Sequence, residues 1–125
     1  MINEKKTKKK LLFVTGTRAD FGKLEPLASE AFKNGFAITF FVTGMHMLNK
    51  YGLTKEEVKK YKNFDLFEFL NQREGDNQDI ILSKTIIGFS DYLNEINPDM
   101  VVIHGDRVEA IACAIVCTTN YFLSA

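Results

Sequence analysis

The chain is short of nearly every feature that would announce a partner at once. Lys plus Arg number 16 and Asp plus Glu number 16, so the formal net charge is zero. No global field draws in nucleic acid or an anionic membrane, and any anion site must be local. No apolar run approaches the roughly 20 residues of a membrane span. The stretch "LLFVTG" is too short for the h-region of a signal peptide, about 7 to 15 residues, and it runs straight into Thr17-Arg18-Ala19-Asp20. Cysteine is equally sparse. Cys113 and Cys117 are the two present, four apart on a predicted helix, so they share a face and pack as small hydrophobes. Without His or more Cys nearby they make a poor zinc site, and a reduced, cytoplasmic protein is the natural expectation. No internal repeat or low-complexity linker interrupts the chain.

What is present fits one ordinary globular core. The 125 residues are 46% hydrophobic and 26% charged, far from the composition of disorder. A domain of this size buries about two-thirds of the surface its unfolded form exposes. Residues 1–10, "MINEKKTKKK", hold five lysines. With no aromatic residues interleaved for base stacking, they read as a solvated basic tail rather than a nucleic-acid arm.

From residue 11 onward the chain alternates. "KLLFVTG" is a short, β-branched apolar run closed by Gly16, the pattern of a buried strand. Helical spacing follows from Asp20 to Asn34, with Leu24, Leu27, Ala28 and Ala31 on one side and Asn34-Gly35 as the stop. Pro26 lacks an N–H and suits only a first turn, which predicts a separate turn over Phe21 to Leu24 and a regular helix from about Glu25. "FAITFFVTG", residues 36–44, repeats the strand with the same Thr-Gly ending. After a loop containing His46, "TKEEVKKYKN" predicts a short polar helix with Thr54 and Glu57 as a capping box. "FDLFEFL" predicts a third strand, and "NQREGDN", residues 71–77, a mobile polar loop near whatever binds. Leu82, Ile86, Phe89, Leu93 and Ile96 form a helical apolar stripe, the pattern of core packing, broken at Asn97-Pro98. "MVVIHG" predicts a fourth strand, "RVEAIACAIVC" a helix, and "YFLSA" the start of a fifth strand.

Strands and helices in strict alternation indicate an α/β fold, a Rossmann-like parallel sheet with helices on both faces. Right-handed crossovers then carry "TGTRAD", "TGMH" and "HGDR" to one rim of the sheet, the carboxyl rim where open α/β sheets bind ligands. "GTRAD" is neither G-x-G-x-x-G nor G-x-x-x-x-G-K-[ST], which excludes the usual dinucleotide and P-loop readings. It does set Gly16 and Arg18 between a strand end and a helix start, where N–H groups and a guanidinium can hold phosphate. In "HGDR", Asp106 and Glu109 have capping-box spacing with Asp in place of Ser or Thr. Such a carboxylate is rigidly held and keeps a free oxygen lone pair, as a proton-abstracting base requires. His104 and His46 each fit a core, loop or site role.

"VTGTRADFGKL", "VTGMH" and "VVIHGDRVEA" together, in this order and spacing, resemble the UDP-N-acetylglucosamine 2-epimerase family. "GTRAD" with "HGDR" is similar to its hydrolysing branch, which serves sialic- and nonulosonic-acid biosynthesis, where the non-hydrolysing branch has "GTRPE" and "HGDT". The resemblance implies a two-domain fold of the glycosyltransferase-B type. Residues 11–125 would form an incomplete N-terminal Rossmann-like domain, and the second domain would be absent. It implies a UDP-sugar substrate, no cofactor, no metal, and a homo-oligomeric full-length protein. Asp106 would be the catalytic carboxylate, Arg18 and Arg107 would contact UDP, and His104 would stand beside the site. The implied reaction removes the sugar C2 proton, eliminates UDP to leave 2-acetamidoglucal, and adds water to release the 2-epimeric free sugar, N-acetylmannosamine for the simplest substrate, with a diacetamido-dideoxy sugar nucleotide as the other substrate open at this point. The 125 residues alone are expected to be inactive. Two other readings remain open at this point: a stand-alone flavodoxin-like phosphate- or nucleotide-binding domain, and the first domain of a glycosyltransferase.

Overall fold

A computed structural model describes residues 8–47, 58–73 and 75–125. Four parallel strands form one sheet: β1 (Lys10–Thr15), β2 (Ala37–Val42), β3 (Asp65–Glu68) and β4 (Met100–Ile103), in the order β3-β2-β1-β4. Three long helices connect and cover them: α1 (Arg18–Lys33), α2 (Gln78–Ile96) and α3 (Val108–Thr119). The expected fifth strand is begun. Val101 bridges Ser124 in parallel, and Ile103 donates its N–H to the carbonyl of Ala125 at 2.9 Å. The sheet therefore extends past β4, and β1, the first strand made, lies at its centre. The strict alternation of apolar run and helical stripe is what makes this order the economical one, since parallel neighbours need a crossover helix.

Side-chain alternation along the strands divides the core in two. Leu12 and Val14 of β1 face Phe41, Phe89, Leu93, Val101, Cys113, Val116 and Cys117 beneath α2 and α3. Phe13 turns to the opposite face and meets Phe21, Leu24, Ala28, Ile38, Phe40, Val42 and Phe64 beneath α1. The period of two in a strand requires this split, and it explains why the strands read as continuous apolar runs rather than alternating ones. Phe41 is ringed by Phe67, Phe69, Phe89 and Tyr92, with centroids 5.0 to 5.8 Å away.

Several expectations are corrected. α1 is a single helix running through Pro26. Its start is fixed upstream, where the Thr17 hydroxyl accepts from the Asp20 N–H at 3.1 Å, and Phe21 is buried in the core. These contacts outweigh the one backbone hydrogen bond that proline removes. Leu27 is 54% exposed; the buried face is Phe21, Leu24 and Ala28, and Leu27 falls at its edge. In α2 the fully covered stripe is Ile81, Thr85, Phe89 and Leu93, with Leu82, Ile86 and Ile96 half-buried beside it. Lys10 begins β1, as the run "KLLFVTG" predicts although residue 10 also falls in the expected tail, and the Lys9 carbonyl accepts from the Ala37 N–H. The expected Thr54–Glu57 capping box lies outside the described residues; of that helix Val58 is seen, fully buried.

The cysteines behave as core. Burial, with Cys117 and Glu109 nearby, raises the Cys113 thiol well above its ordinary value, and burial pushes Cys117 up to about 11. Both thiols are expected to resist a thiol-specific chromogenic reagent at pH 8 in the folded chain and to react fully in denaturant. Reaction of either thiol at the rate of a free one would contradict this. Because the unfolded thiols ionise first, stability should fall as pH rises past the ordinary value of 9.0.

Candidate active site at the carboxyl rim

At the centre of the rim the connections diverge: the chain leaves β1 toward β2 on one side, while β4 lies on the other. This is the topological switch point, where a crevice opens between the loops that follow β1 and β4. "GTRAD" and "HGDR" are those two loops. The repeated Thr-Gly endings explain how the rim packs so closely. Thr15 and Thr43 are fully buried; the Thr15 hydroxyl donates to the Thr17 carbonyl (3.2 Å) as the chain leaves β1, and the Thr43 hydroxyl donates to the Phe69 carbonyl (2.6 Å), tying the end of β2 to the residue that follows β3. Gly44, at φ +64, then lies against Gly16, where an added Cβ would stand 2.7 Å from the Gly16 carbonyl oxygen.

The two motif loops touch through a pair the sequence reading did not foresee. His104 Nδ1 lies 3.2 Å from Asp20 Oδ1, bridging the start of α1 to the end of β4. Gly105, at φ +124, permits the approach: a Cβ there would meet the same carboxylate at 3.2 Å. Asp20 was legible only as the acidic residue of a first helical turn. Its role appears once the sheet order makes β1 and β4 neighbours.

The remaining candidates divide. Asp106 is exposed on the rim, and it does not cap α3. The N-cap is Arg107, without a side-chain cap hydrogen bond, so the expected Asp106–Glu109 capping box is not formed. The physical reason is that Glu109 is engaged elsewhere. It is 2% exposed, it accepts from Arg107 Nε at 3.0 Å, and it accepts from Asn71 Nδ2 at 3.2 Å. Arg18, exposed at the first turn of α1, opens onto a separate cleft of about 420 Å³ lined with Phe21, Gly22, Glu25, Lys60 and Tyr61. No residue of "HGDR" lines that cleft. The rim therefore brings His104 to the "GTRAD" loop through Asp20, and it holds Arg107 through Glu109. The His46 side chain lies outside the described residues.

The 71–77 loop also departs from expectation. Asn71 and Gln72 are buried, the Asp76 carboxylate accepts from the Arg73 N–H at 2.8 Å, and Lys84 pairs with Asp76 at 3.1 Å. Those two partners, the backbone N–H first, lower the Asp76 carboxyl below its ordinary value. A polar composition suggested mobility, but Asn71 bonds inward to Gly44, Thr85 and Glu109 and Asp76 ties Arg73 to Lys84, while Gln72 Oε1 is buried without a hydrogen-bond partner among the described residues. Among the described residues no three His, Cys, Asp or Glu side chains are grouped to hold a metal ion, and no helix is long and apolar enough to cross a membrane.

A parallel sheet ordered 3-2-1-4, with cationic, acidic and imidazole groups on the loops flanking its switch point, defines an α/β unit of the Rossmann-like kind. Comparison with known proteins gives the family. Residues 30–122 match the UDP-N-acetylglucosamine 2-epimerase family, and the chain belongs to it. It is 45% identical over 109 residues to the UDP-N-acetylglucosamine 2-epimerase of Neisseria meningitidis serogroup B, covering 86% of this chain and 29% of that protein. It is 32% identical over 116 residues to the GDP/UDP-N,N'-diacetylbacillosamine 2-epimerase (hydrolyzing) of Campylobacter jejuni, covering 89% of this chain and 30% of that one. The crystal structure of a Neisseria meningitidis UDP-GlcNAc 2-epimerase bound to UDP-GlcNAc superimposes with a TM-score of 0.77 at 21% identity, over 92% of this chain and 31% of that chain. The fold is that of the first part of the two-domain glycosyltransferase-B arrangement. The chain spans less than a third of the length of these relatives.

Proposed function

We propose that this chain is the N-terminal part of a hydrolysing UDP-N-acetylglucosamine 2-epimerase, converting UDP-GlcNAc and water to N-acetylmannosamine and UDP. The observation that carries the reading is the joining of "GTRAD" and "HGDR" across the switch point by the Asp20–His104 contact. The hydrolysing type is favoured by those two motifs and by the similarity to the hydrolyzing Campylobacter protein.

The chemistry asks for a base at C2 and for cations at the departing diphosphate. Asp106 is an exposed carboxylate at the rim and takes the C2 proton as the C1–O bond to UDP breaks, leaving 2-acetamidoglucal. Arg107 carries the positive charge that stabilises the leaving diphosphate, and Arg18, on the neighbouring cleft, contacts the UDP moiety, since a planar guanidinium can hold phosphate oxygens bidentately. His104, with Nδ1 engaged by Asp20, keeps Nε2 available toward the sugar. Water then adds across the C1=C2 bond on the face that gives the 2-epimer. UDP-GlcNAc is the substrate, the full-length protein works as a homo-oligomer in the cytoplasm, and a second domain supplies the remaining half of the site.

The test is product analysis with the full-length protein in D2O. Free N-acetylmannosamine deuterated at C2, formed in equal amount to UDP, is the expected result. An epimerised sugar still attached to UDP would replace the hydrolysing reading by the non-hydrolysing one. Turnover by the 125-residue chain alone would show that the site is already complete. Arg18→Ala is expected to weaken UDP binding by about tenfold or more, the scale of losing one charge-assisted phosphate contact. Equal affinity in calorimetric titration would remove Arg18 from the site.

A further inference from the structure

Glu109 is the charged side chain the proposed reaction leaves unused, and the rim is built around it. Its Oε2 accepts from Asn71 Nδ2 (3.2 Å), and its Oε1 accepts from Arg107 Nε (3.0 Å), with Arg107 Nη2 at 3.5 Å from Oε2. Asn71 is fully buried, and its own orientation is fixed on both sides. Its Oδ1 accepts from the Gly44 N–H at 3.0 Å, and its Nδ2 also donates to Thr85 Oγ1 at 2.8 Å. Thr85 in turn donates to the Ile81 carbonyl of α2 at 2.7 Å. The niche depends on Gly44, where an added Cβ would stand 3.1 Å from Glu109 Oε2, whereas one on Gly16 would make ordinary contact with Oε1 at 3.7 Å. Loops after β1, β2 and β3 thus close around one carboxylate, which holds one guanidinium.

A buried carboxylate is a poor way to gain stability alone, because well-packed apolar groups do as well or better. Its useful property is direction. The fork of Arg107 is held on its Nε edge, while the side chain remains one-third exposed toward the rim. We infer that Glu109 is a positioning residue: with Asn71 it orients Arg107, so that the outer edge of the guanidinium is preset for the diphosphate of the substrate. This rests on the reading that Arg107 contacts UDP. Holding a long side chain in its binding geometry before the ligand arrives removes an ordering cost from binding.

The test is a double-mutant cycle on UDP affinity in the full-length protein, with Arg107→Ala, Glu109→Gln and the pair. Arg107→Ala without effect would sink the underlying reading of Arg107 itself. If Arg107→Ala weakens binding, Glu109→Gln is expected to weaken it by about tenfold in the wild-type background and to have no further effect in the Arg107→Ala background. Additive losses, unchanged affinity, or the tighter binding expected from simply removing a negative charge each overturn the inference. A measurement on the wild type covers the case in which Glu109→Gln does not fold. With ¹⁵N-labelled guanidinium groups, the Arg107 Nε–H signal should exchange slowly with water and shift when UDP is added. Exchange as fast as a solvated arginine's would count against Glu109.

Discussion

Asp106→Asn in the full-length protein is expected to lower kcat by about a thousandfold, in the middle of the range that a positioned general base contributes. The substitution keeps the shape of the side chain and removes its capacity to take a proton. UDP affinity should change little, because the diphosphate is assigned to arginines and no ring of ligands depends on Asp106. The side chain is exposed and does not cap α3, so the fold should not respond either. Steady-state kinetics by UDP release, with equilibrium UDP titration alongside, separate the two quantities. A variant that retains a tenth of wild-type kcat would move the base elsewhere on the rim, and His104 is the neighbouring group with the necessary chemistry. A loss confined to KM would make Asp106 a binding residue.

The second large effect concerns the rim's construction. Gly44→Ala is expected to destabilise the chain by about 2 to 4 kcal/mol, since it combines a left-handed backbone with a clash that cannot be relieved by a flexible side chain. At φ +64 the new Cβ would stand 2.7 Å from the Gly16 carbonyl oxygen and 3.0 Å from its Cα, both backbone atoms. For a domain of this length that is a fall in Tm of about 10 °C, measurable by thermal or urea unfolding. The consequence reaches the site as well. Gly44 donates its N–H to Asn71 Oδ1, so displacing it loosens the group that holds Glu109 and, through it, Arg107. A comparable change at Gly35 carries only the backbone penalty of its φ of +95, because nothing lies within 4 Å of the Cβ it would gain. Gly44→Ala with wild-type stability would mean that the Gly16 and Gly44 turns are not in contact in solution.

Much of the fold was legible because it depends on short-range periodicity. Each apolar run became a strand or part of one, Asn97-Pro98 ended α2, and the final residues pair in parallel with β4. The misreadings share one cause. The break at Pro26, the inward face given to Leu27 and the capping box at Asp106 were each inferred from neighbours in the chain, and none of them took account of which side of a helix the sheet covers or of what a distant residue offers. Phe21 is buried in the core, Leu27 falls past the edge of the buried face, and Glu109 is drawn to Asn71, which is 38 residues away.

The same division runs through the site. The residues themselves determined the motifs, the strand-to-helix loops that carry them, and hence the rim on which Arg18, His104, Asp106 and Arg107 stand. Charge, hydrogen-bonding capacity and local spacing suffice for that. Only the tertiary structure decided which of these groups meet. The order of strands puts the loops after β1 and β4 side by side, so Asp20 reaches His104 over 84 positions of sequence. The close approach of two Thr-Gly turns leaves a niche for one buried carboxylate, which must find partners because burial removes its water. Contacts of that range are set by the sheet order and by what a buried charge requires.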